Sequence, residues 1–245
     1  MTISFQNYQY SYQNERHKHV FVPSRKGYEV GYEIKEMIEK EHVFDDFFSH
    51  FRPGGHVSAL HVHRKNAYFA RIDLKNFFYS IARNRVARTL HECSFPKARL
   101  YAKWSCVKNP YSEPSYALPY GFVQSPILST VVLQHSALGL YLKSIASAVT
   151  ESVYIDDISV SSNDLPILES VFAEMIEKAR EADFQINTTK FAKPSSSIEL
   201  FNCDLKTDHT EVSAGRRAKF YAEKRTPASE AAFERYCEII EEGNK

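Results

Sequence analysis

The sequence predicts an α+β fold, with helices and strands mixed but no strict βαβ alternation. Three observations carry that expectation. Residues 28–42 and 166–181 keep apolar side chains at i, i+3, i+4 spacing, the period of an amphipathic helix. Residues 152–161 instead alternate apolar and polar side chains around two adjacent acids, Asp156 and Asp157, which is the pattern of a tight β-hairpin. Residues 68–74 form a short apolar run of strand length that contains Asp73 near its end.

Taken in order, residues 1–27 are polar and aromatic without a clear period, and the first twelve do not have the basic-then-apolar layout of a signal peptide. Val30, Ile34, Met37 and Ile38 place the first helix at 28–42. Phe44, Phe47, Phe48 and Phe51 follow, and Arg52-Pro53-Gly54-Gly55 breaks the chain. After the strand at 68–74, residues 83–108 read as helical with an interruption near Pro96, and 109–120 as a loop. Residues 125–143 read as one long apolar helix, with Ser125 as cap and Pro126 in the first turn. In 166–181 the stripe Leu168, Val171, Phe172, Met175, Ile176 and Ala179 is core. Strands are expected at 198–205 and 210–213, and a last amphipathic helix at 227–242 carries Phe233, Tyr236, Ile239 and Ile240.

The 245 residues are 43% apolar, enough for a substantial core. No run of about 18 apolar residues is present, so neither a membrane span nor a membrane partner is expected. The cysteines Cys93, Cys106, Cys203 and Cys237 are scattered, with no CxxC, and read as reduced thiols of a cytoplasmic protein. The net charge of +1 selects no partner, but its distribution is uneven. Arg83, Arg85, Arg88, Lys97, Arg99, Lys103 and Lys108 face only Glu92 in their segment, a pattern shared by a phosphate-contacting face and a solvated helix surface.

Three blocks carry chemistry. The first is Ala70-Arg71-Ile72-Asp73-Leu74-Lys75-Asn76-Phe77-Phe78, a carboxylate at a strand end followed by two rings. The second is Leu118-Pro119-Tyr120-Gly121-Phe122-Val123-Gln124-Ser125-Pro126, a glycine-bearing loop running into a helix N-terminus, where backbone N–H groups can face an anion. The third is the Asp156-Asp157 turn. Carboxylates brought together repel one another unless a cation intervenes. Hard divalent ions accept carboxylate oxygen and keep phosphate as a co-ligand, and a pair of them can activate a hydroxyl and stabilise a leaving pyrophosphate. The plain alternative is a solvated hairpin tip, since Asp is a common turn residue. His61-x-His63 could chelate a metal, but no cysteine lies near it in sequence to complete a zinc set.

These blocks resemble motifs A, B and C of reverse transcriptases. Tyr154-Ile155-Asp156-Asp157 matches their YxDD signature, and the block from Asp73 to Phe78 matches D-x-x-x-F-F. Residues 118–129 resemble the LPxGxxxSPxLS block of bacterial retron-like and defence-associated members. Asn187-Thr188-Thr189-Lys190 resembles the motif D loop. The similarity spans roughly residues 45–213. It implies a right-hand polymerase fingers–palm core with an antiparallel palm sheet and a short helical thumb. The N-terminal/fingers region would be 1–66 and the palm 67–213, with fingers helices inserted at about 83–120. The abbreviated thumb would be 214–245.

The resemblance further implies RNA-directed DNA synthesis with two Mg²⁺ ions, Mn²⁺ being an alternative. Asp73, Asp156, Asp157 and the Leu74 backbone would hold the metals. Lys75, Asn76, Phe77, Phe78, Gly121, Gln124 and Lys190 would line the nucleotide site, with Phe78 as the ring that excludes a 2′-hydroxyl. The implied partners are an RNA template, most simply a non-coding RNA, together with deoxynucleoside triphosphates and the DNA product. Many members have Gln where this chain has Tyr120. Only 30 residues follow Gly215, which raises the expectation of a second copy or a partner protein completing the thumb. The competing expectation is a catalytically weak palm acting as an RNA-binding or structural subunit; a two-metal nuclease is a third.

Overall fold

A hairpin near the N-terminus, which the sequence pattern does not announce, begins the structure. The computed structural model describes residues 6–245, so the first five residues of the stretch read as polar, aromatic and leaderless lie outside the described residues. The chain divides into two units: Met1–Asp45 with Lys75–Leu140 and Arg180–Gln185, and Asp46–Leu74 with Tyr141–Ala179 and Ile186–Lys245.

In the first unit, β1 (Tyr8–Gln13) and β2 (His19–Pro23) pair antiparallel. Most of β1 is exposed, so it has no buried face to impose an alternation. Helix α1 (Arg25–Glu41) is capped by Ser24, whose side chain accepts the Gly27 N–H, and it buries Val30, Ile34 and Ile38 as their spacing requires. The short α3 (Phe77–Ser80) precedes α4 (Arg83–Glu92) and α5 (Ala98–Ser105). The break between α4 and α5 surrounds Pro96, with Ser94 and Lys97 at positive φ. The expected loop at 109–120 contains part of a small ladder between β4 (Val107–Lys108) and β5 (Tyr116–Ala117). Phe21, Tyr79, Val107, Ala117 and Phe122 form one core cluster here.

The expected helix at 125–143 is two helices. Helix α6 (Ser125–Gln134) has Gln124, not Ser125, at its cap position, with Ser125 and Pro126 already inside the first turn. It stops before α7 (Ala137–Ile145) because Ser136 restarts the hydrogen bonding. The Ser136 Oγ accepts the Gly139 N–H at 3.2 Å and donates to the Leu133 carbonyl at 2.6 Å. The polar run Gln134-His135-Ser136 marks this restart inside an otherwise apolar stretch.

The second unit holds a four-stranded antiparallel sheet in the order β6-β7-β3-β8. Strand β3 (Tyr68–Asp73) lies between β7 (Asp157–Ser162) and β8 (Ala192–Ser195), with β6 (Thr150–Tyr154) outside β7. Helix α8 (Leu165–Glu181) buries Leu168, Val171, Phe172, Met175 and Ala179. Helix α2 (Gly55–His61) begins directly after the break at Gly54, where φ is +88°. The strand expected at 198–205 is folded back on itself as β9 (Ser197–Leu200) and β10 (Cys203–Lys206), turning at Phe201 and Asn202, both at positive φ. Strand β11 (His209–Val212) completes this second sheet, followed by α9 (Ala214–Tyr221) and α10 (Pro227–Glu241). Leu60, Phe69, Leu200, Leu205, Phe233 and Ile240 share one core. No helix among the described residues is long and apolar enough to cross a membrane.

Arg64 is buried, and its guanidinium donates to the Ile240 and Glu242 carbonyls and to Thr210 Oγ1, so it satisfies the open carbonyls at the C-terminal end of α10. The three nearby histidines do not converge. His56 meets the Tyr236 hydroxyl, His61 meets the Ile240 carbonyl, and His63 sits between Ser161 Oγ and Ser152 Oγ at 2.7 and 2.8 Å.

Burial pushes the imidazole of the fully buried His63 down to about 3, so it stays neutral in the fold while the unfolded chain takes up its proton near the ordinary value of 6.5. Stability from this group is therefore complete above pH 6.5 and is lost progressively between 6.5 and about 3. A His63→Gln variant, which can still bond both serines, is expected to lose about 1.4 kcal/mol less stability per pH unit over that window than the parent. Urea unfolding at pH 7 and pH 5 measures the difference.

Candidate active site

Antiparallel register brings the acids together. Asp73, the last residue of β3, pairs directly with Asp157, the first of β7. Tyr154 pairs with Asp157 across the hairpin, leaving Ile155 and Asp156 as its two-residue tip. The Leu74 N–H then donates to the Asp156 carbonyl at 2.9 Å, tying the end of β3 to that tip. Carboxylate oxygens of Asp73, Asp156 and Asp157 all lie within 4.8 Å of one another. Ile155 holds φ +61°, a left-handed conformation that opposes a β-branched side chain and costs on the order of 1–3 kcal/mol. Surrounding contacts hold the tip in place. The Val153 N–H donates to the Phe47 carbonyl at 2.8 Å and the Ile155 N–H to His50 Nδ1 at 3.3 Å. The Tyr154 ring packs among His50, His56 and Phe201.

The acids sit in different surroundings. Asp73 is 3% exposed; it accepts from Asn187 Nδ2 at 2.9 Å and from Lys190 Nζ at 3.1 Å. The Asn187 N–H also donates to the Asp73 carbonyl at 2.8 Å, so the loop at 187–190 is fastened to this residue by backbone and side chain. Asp157 accepts from Arg71 Nε at 2.7 Å and Nη2 at 2.5 Å. Burial raises the Asp157 carboxyl and the Arg71 guanidinium opposes that shift. Asp156 is pushed up to about 6, by burial first and then by the negative charges of Asp157 and Asp73.

This is an electrostatic deficit that a cation would fill. Three converging carboxylates offer only hard oxygen donors, which suit a divalent cation of the Mg²⁺ or Mn²⁺ type. The pH consequence has a definite sign. Without a cation, ionised Asp156 costs stability fully above pH 6, and the cost fades as pH falls towards 3.8, where the unfolded carboxyl protonates as well. Cation binding needs the ionised form, so affinity is expected to fall about tenfold per pH unit below pH 6. Mn²⁺ titration followed by electron paramagnetic resonance at pH 7, 6 and 5 checks this, and the slope should flatten in Asp156→Asn.

The residues expected to line a nucleotide site belong to the first unit, apart from Lys190. Phe78 is buried, edge-on to Tyr120 with centroids 4.9 Å apart and beside Phe77 at 5.9 Å. Phe77 packs on Phe184, and Arg85 lies over the other ring at 4.5 Å. Lys75 is exposed, and its N–H donates to the Gln185 carbonyl at 2.7 Å. Asn76 holds φ +51° and accepts from Lys18 Nζ at 2.8 Å. Gly121 has φ +100°, and a Cβ there would lie 2.2 Å from the Phe21 carbonyl oxygen, so this position requires glycine. Gln124 is buried, donates to Ser105 Oγ at 3.4 Å, and packs so closely on Gly31 that a Cβ there would meet its Oε1 at 2.4 Å.

Three side chains escaped the sequence reading. Arg71 carried a signal, since i and i+2 on a strand share a face and Arg71 precedes Asp73 by two. Asn187 had only its place beside Lys190 in the loop at 187–190. Lys18 lies in a hairpin without a periodic pattern, and nothing local connects it with Asn76.

The model of the reverse transcriptase (RNA-dependent DNA polymerase) family matches residues 29–205. No curated protein matches the chain. Among solved structures, the foamy viral protease-reverse transcriptase in complex with double-stranded DNA aligns with a TM-score of 0.55 at 16% identity, over 92% of this chain and 34% of that one. The foamy viral protease-reverse transcriptase with an RNA/DNA hybrid gives a TM-score of 0.49 at 18% identity, over 69% of this chain and 20% of the other. Telomerase from Candida albicans with a fragment of telomeric RNA gives 0.48 at 10% identity, over 77% and 38%. The chain thus spans about a third or less of the foamy viral chains and 38% of the telomerase chain.

Proposed function

Because the chain belongs to the reverse transcriptase (RNA-dependent DNA polymerase) family, we propose that it is an RNA-directed DNA polymerase adding deoxynucleotides to a primer 3′ end. The observation that carries this reading is the Asp73↔Asp157 register, which delivers three carboxylates from two separate segments to one point. In the proposal Asp73, Asp156 and the Leu74 carbonyl hold two Mg²⁺ ions, with Mn²⁺ as a substitute, and Asp157 supports them. Bound there, the ions supply Lewis-acid activation of the 3′-hydroxyl and neutralise charge on the departing pyrophosphate.

The chain's own residues do the rest. Arg71 fixes the rotamer of Asp157, and Asn187 fixes that of Asp73. Lys190 balances charge at Asp73 and is the proton donor to pyrophosphate. Lys75, Asn76 and Phe77 present backbone to the triphosphate, Phe78 bars a 2′-hydroxyl, and Gly121 and Gln124 shape the floor under the new base pair. Residues 1–66 with about 83–120 act as fingers, the remainder of 67–213 as palm and 214–245 as thumb. The LPxGxxxSPxLS-like block at 118–129 further supports a retron-like or anti-phage defence setting, with a non-coding RNA as template.

The test is RNA-templated primer extension with deoxynucleotides and Mg²⁺, the products being sequenced. The proposal requires DNA complementary to the template. Absence of extension on every primer-template offered, or extension that ignores the template, counts against it.

A further inference from the structure

A second metal-ligating cluster lies in the first unit, away from the carboxylates in both sequence and chemistry. His42, Cys93 and His135 each bring a donor atom within 4.8 Å of the others. Each is the C-cap of a different helix: His42 closes α1, Cys93 closes α4 and His135 closes α6. Their backbone N–H groups bond back to Ile38, Thr89 and Val131, so all three side chains leave well-defined helix ends. We propose that these three residues form a zinc site of the His₂Cys type, pinning together the C-termini of α1, α4 and α6.

Three physical features support it. A helix C-terminus carries partial negative charge, and three converging C-termini favour a dication between them. Two carboxylates outside the cluster add to this, since Asp45 acts on His42 and Glu92 on Cys93. The geometry is close to that required. Zn–S of about 2.3 Å and Zn–N of about 2.05 Å at a tetrahedral angle put S and N about 3.5 Å apart. Cys93 Sγ and His135 Nε2 are 3.2 Å apart.

The site is also held from outside. Gln134 Nε2 donates to the Val43 carbonyl at 3.0 Å, and its Oε1 accepts the Asp45 N–H at 3.4 Å, so the chain beside each histidine is stitched to the other. Phe44 and Phe95 pack against the His42 ring. His42 Nε2 is buried and has no hydrogen-bond partner. His135 is exposed, which leaves the fourth position of a tetrahedron open to water.

Burial holds the Cys93 thiol above its usual range, so without metal it is protonated at neutral pH. Binding therefore follows Zn²⁺ + Cys93–SH → Zn²⁺–S–Cys93 + H⁺, with the released proton taken by solvent. The donors are a borderline set that suits Zn²⁺, in contrast to the all-oxygen set of the Asp cluster.

The experiment is a Co²⁺ titration of the metal-stripped full chain in excess Mg²⁺, which occupies the carboxylates, followed by displacement with Zn²⁺. One equivalent of Co²⁺ should produce a thiolate-to-cobalt charge-transfer band that Zn²⁺ abolishes. The all-oxygen cluster cannot give this band. Cys93→Ser should lose it, and His135→Asn, at an exposed position, should weaken Zn²⁺ binding on the order of 100-fold. Zn²⁺ should also raise the unfolding temperature of the parent and leave that of Cys93→Ser unchanged. Absence of the band in the parent, its persistence in Cys93→Ser, or unchanged affinity in His135→Asn would overturn the proposal. None of these readouts requires polymerase activity, so this site and the polymerase reading stand or fall separately.

Discussion

Asp73→Asn is expected to lower the rate of primer extension on the order of 10³-fold while leaving the fold intact. The substitution is nearly isosteric and removes one negative charge from a cluster of three. Asn187 Nδ2 and Lys190 Nζ both donate to this carboxylate, so the new amide must turn an N–H towards one of them. Part of the loss is therefore geometric, and part is the missing oxygen donor. Single-turnover extension over a range of Mg²⁺ concentrations separates the two. A ligand loss shifts the Mg²⁺ midpoint upwards, whereas a purely geometric loss lowers the plateau at an unchanged midpoint. An Asp73→Asn enzyme within about tenfold of the parent rate would remove Asp73 from the metal site.

Phe78→Val is expected to reduce discrimination against ribonucleotides by about 10- to 200-fold. The argument is steric. A ring can reject a sugar bearing a 2′-hydroxyl only by occupying the space that the hydroxyl needs, and overpacking of that kind is worth about 1–3 kcal/mol. Phe78 is held from two sides, by Tyr120 edge-on and by Phe77, so it cannot rotate aside cheaply. Tyr120 is thereby a support for the ring at the position where many reverse transcriptases have Gln. Truncating a buried ring also costs about 2–5 kcal/mol of stability. The readout is therefore the ratio of kcat/KM for ribo- and deoxynucleotides on one preparation, from which the active fraction cancels. An unchanged ratio would reassign Phe78 to the core alone.

The acidic hairpin was legible because alternation is local. Val153 and Ile158 pair across the hairpin and are fully buried, although Ser152 and Ser159 on the other face are buried too. The partnership of Asp73 with Asp157 was not local. It depends on antiparallel pairing between segments far apart in sequence, and only the resemblance of the three blocks pointed to it. The breaks were the weakest part of the reading. The α6–α7 break rests on one serine hydroxyl, and the turn at Phe201-Asn202 requires two non-glycine residues at positive φ. The β1–β2 hairpin escaped because an exposed strand needs no apolar alternation. The His42–Cys93–His135 cluster escaped for another reason. Its members are spread over three helix ends, and metal-site spacing rules look for ligands close together in sequence. His61 and His63, the pair that is close in sequence, instead bond the Ile240 carbonyl and Ser161 within the second unit.

The proposed polymerase requires Asp73, Asp156 and Asp157 to form a working metal centre and not merely an acidic tip. The most direct measurement is RNA-templated primer extension by the parent chain and by Asp156→Ala/Asp157→Ala, side by side, with Mg²⁺ and deoxynucleotides. A working metal centre requires template-directed products from the parent and none above background from the variant. Equal products from both would show synthesis that does not depend on these acids and contradict it; products from neither, while both bind the primer-template equally, would contradict it and leave a palm that binds nucleic acid as a structural subunit.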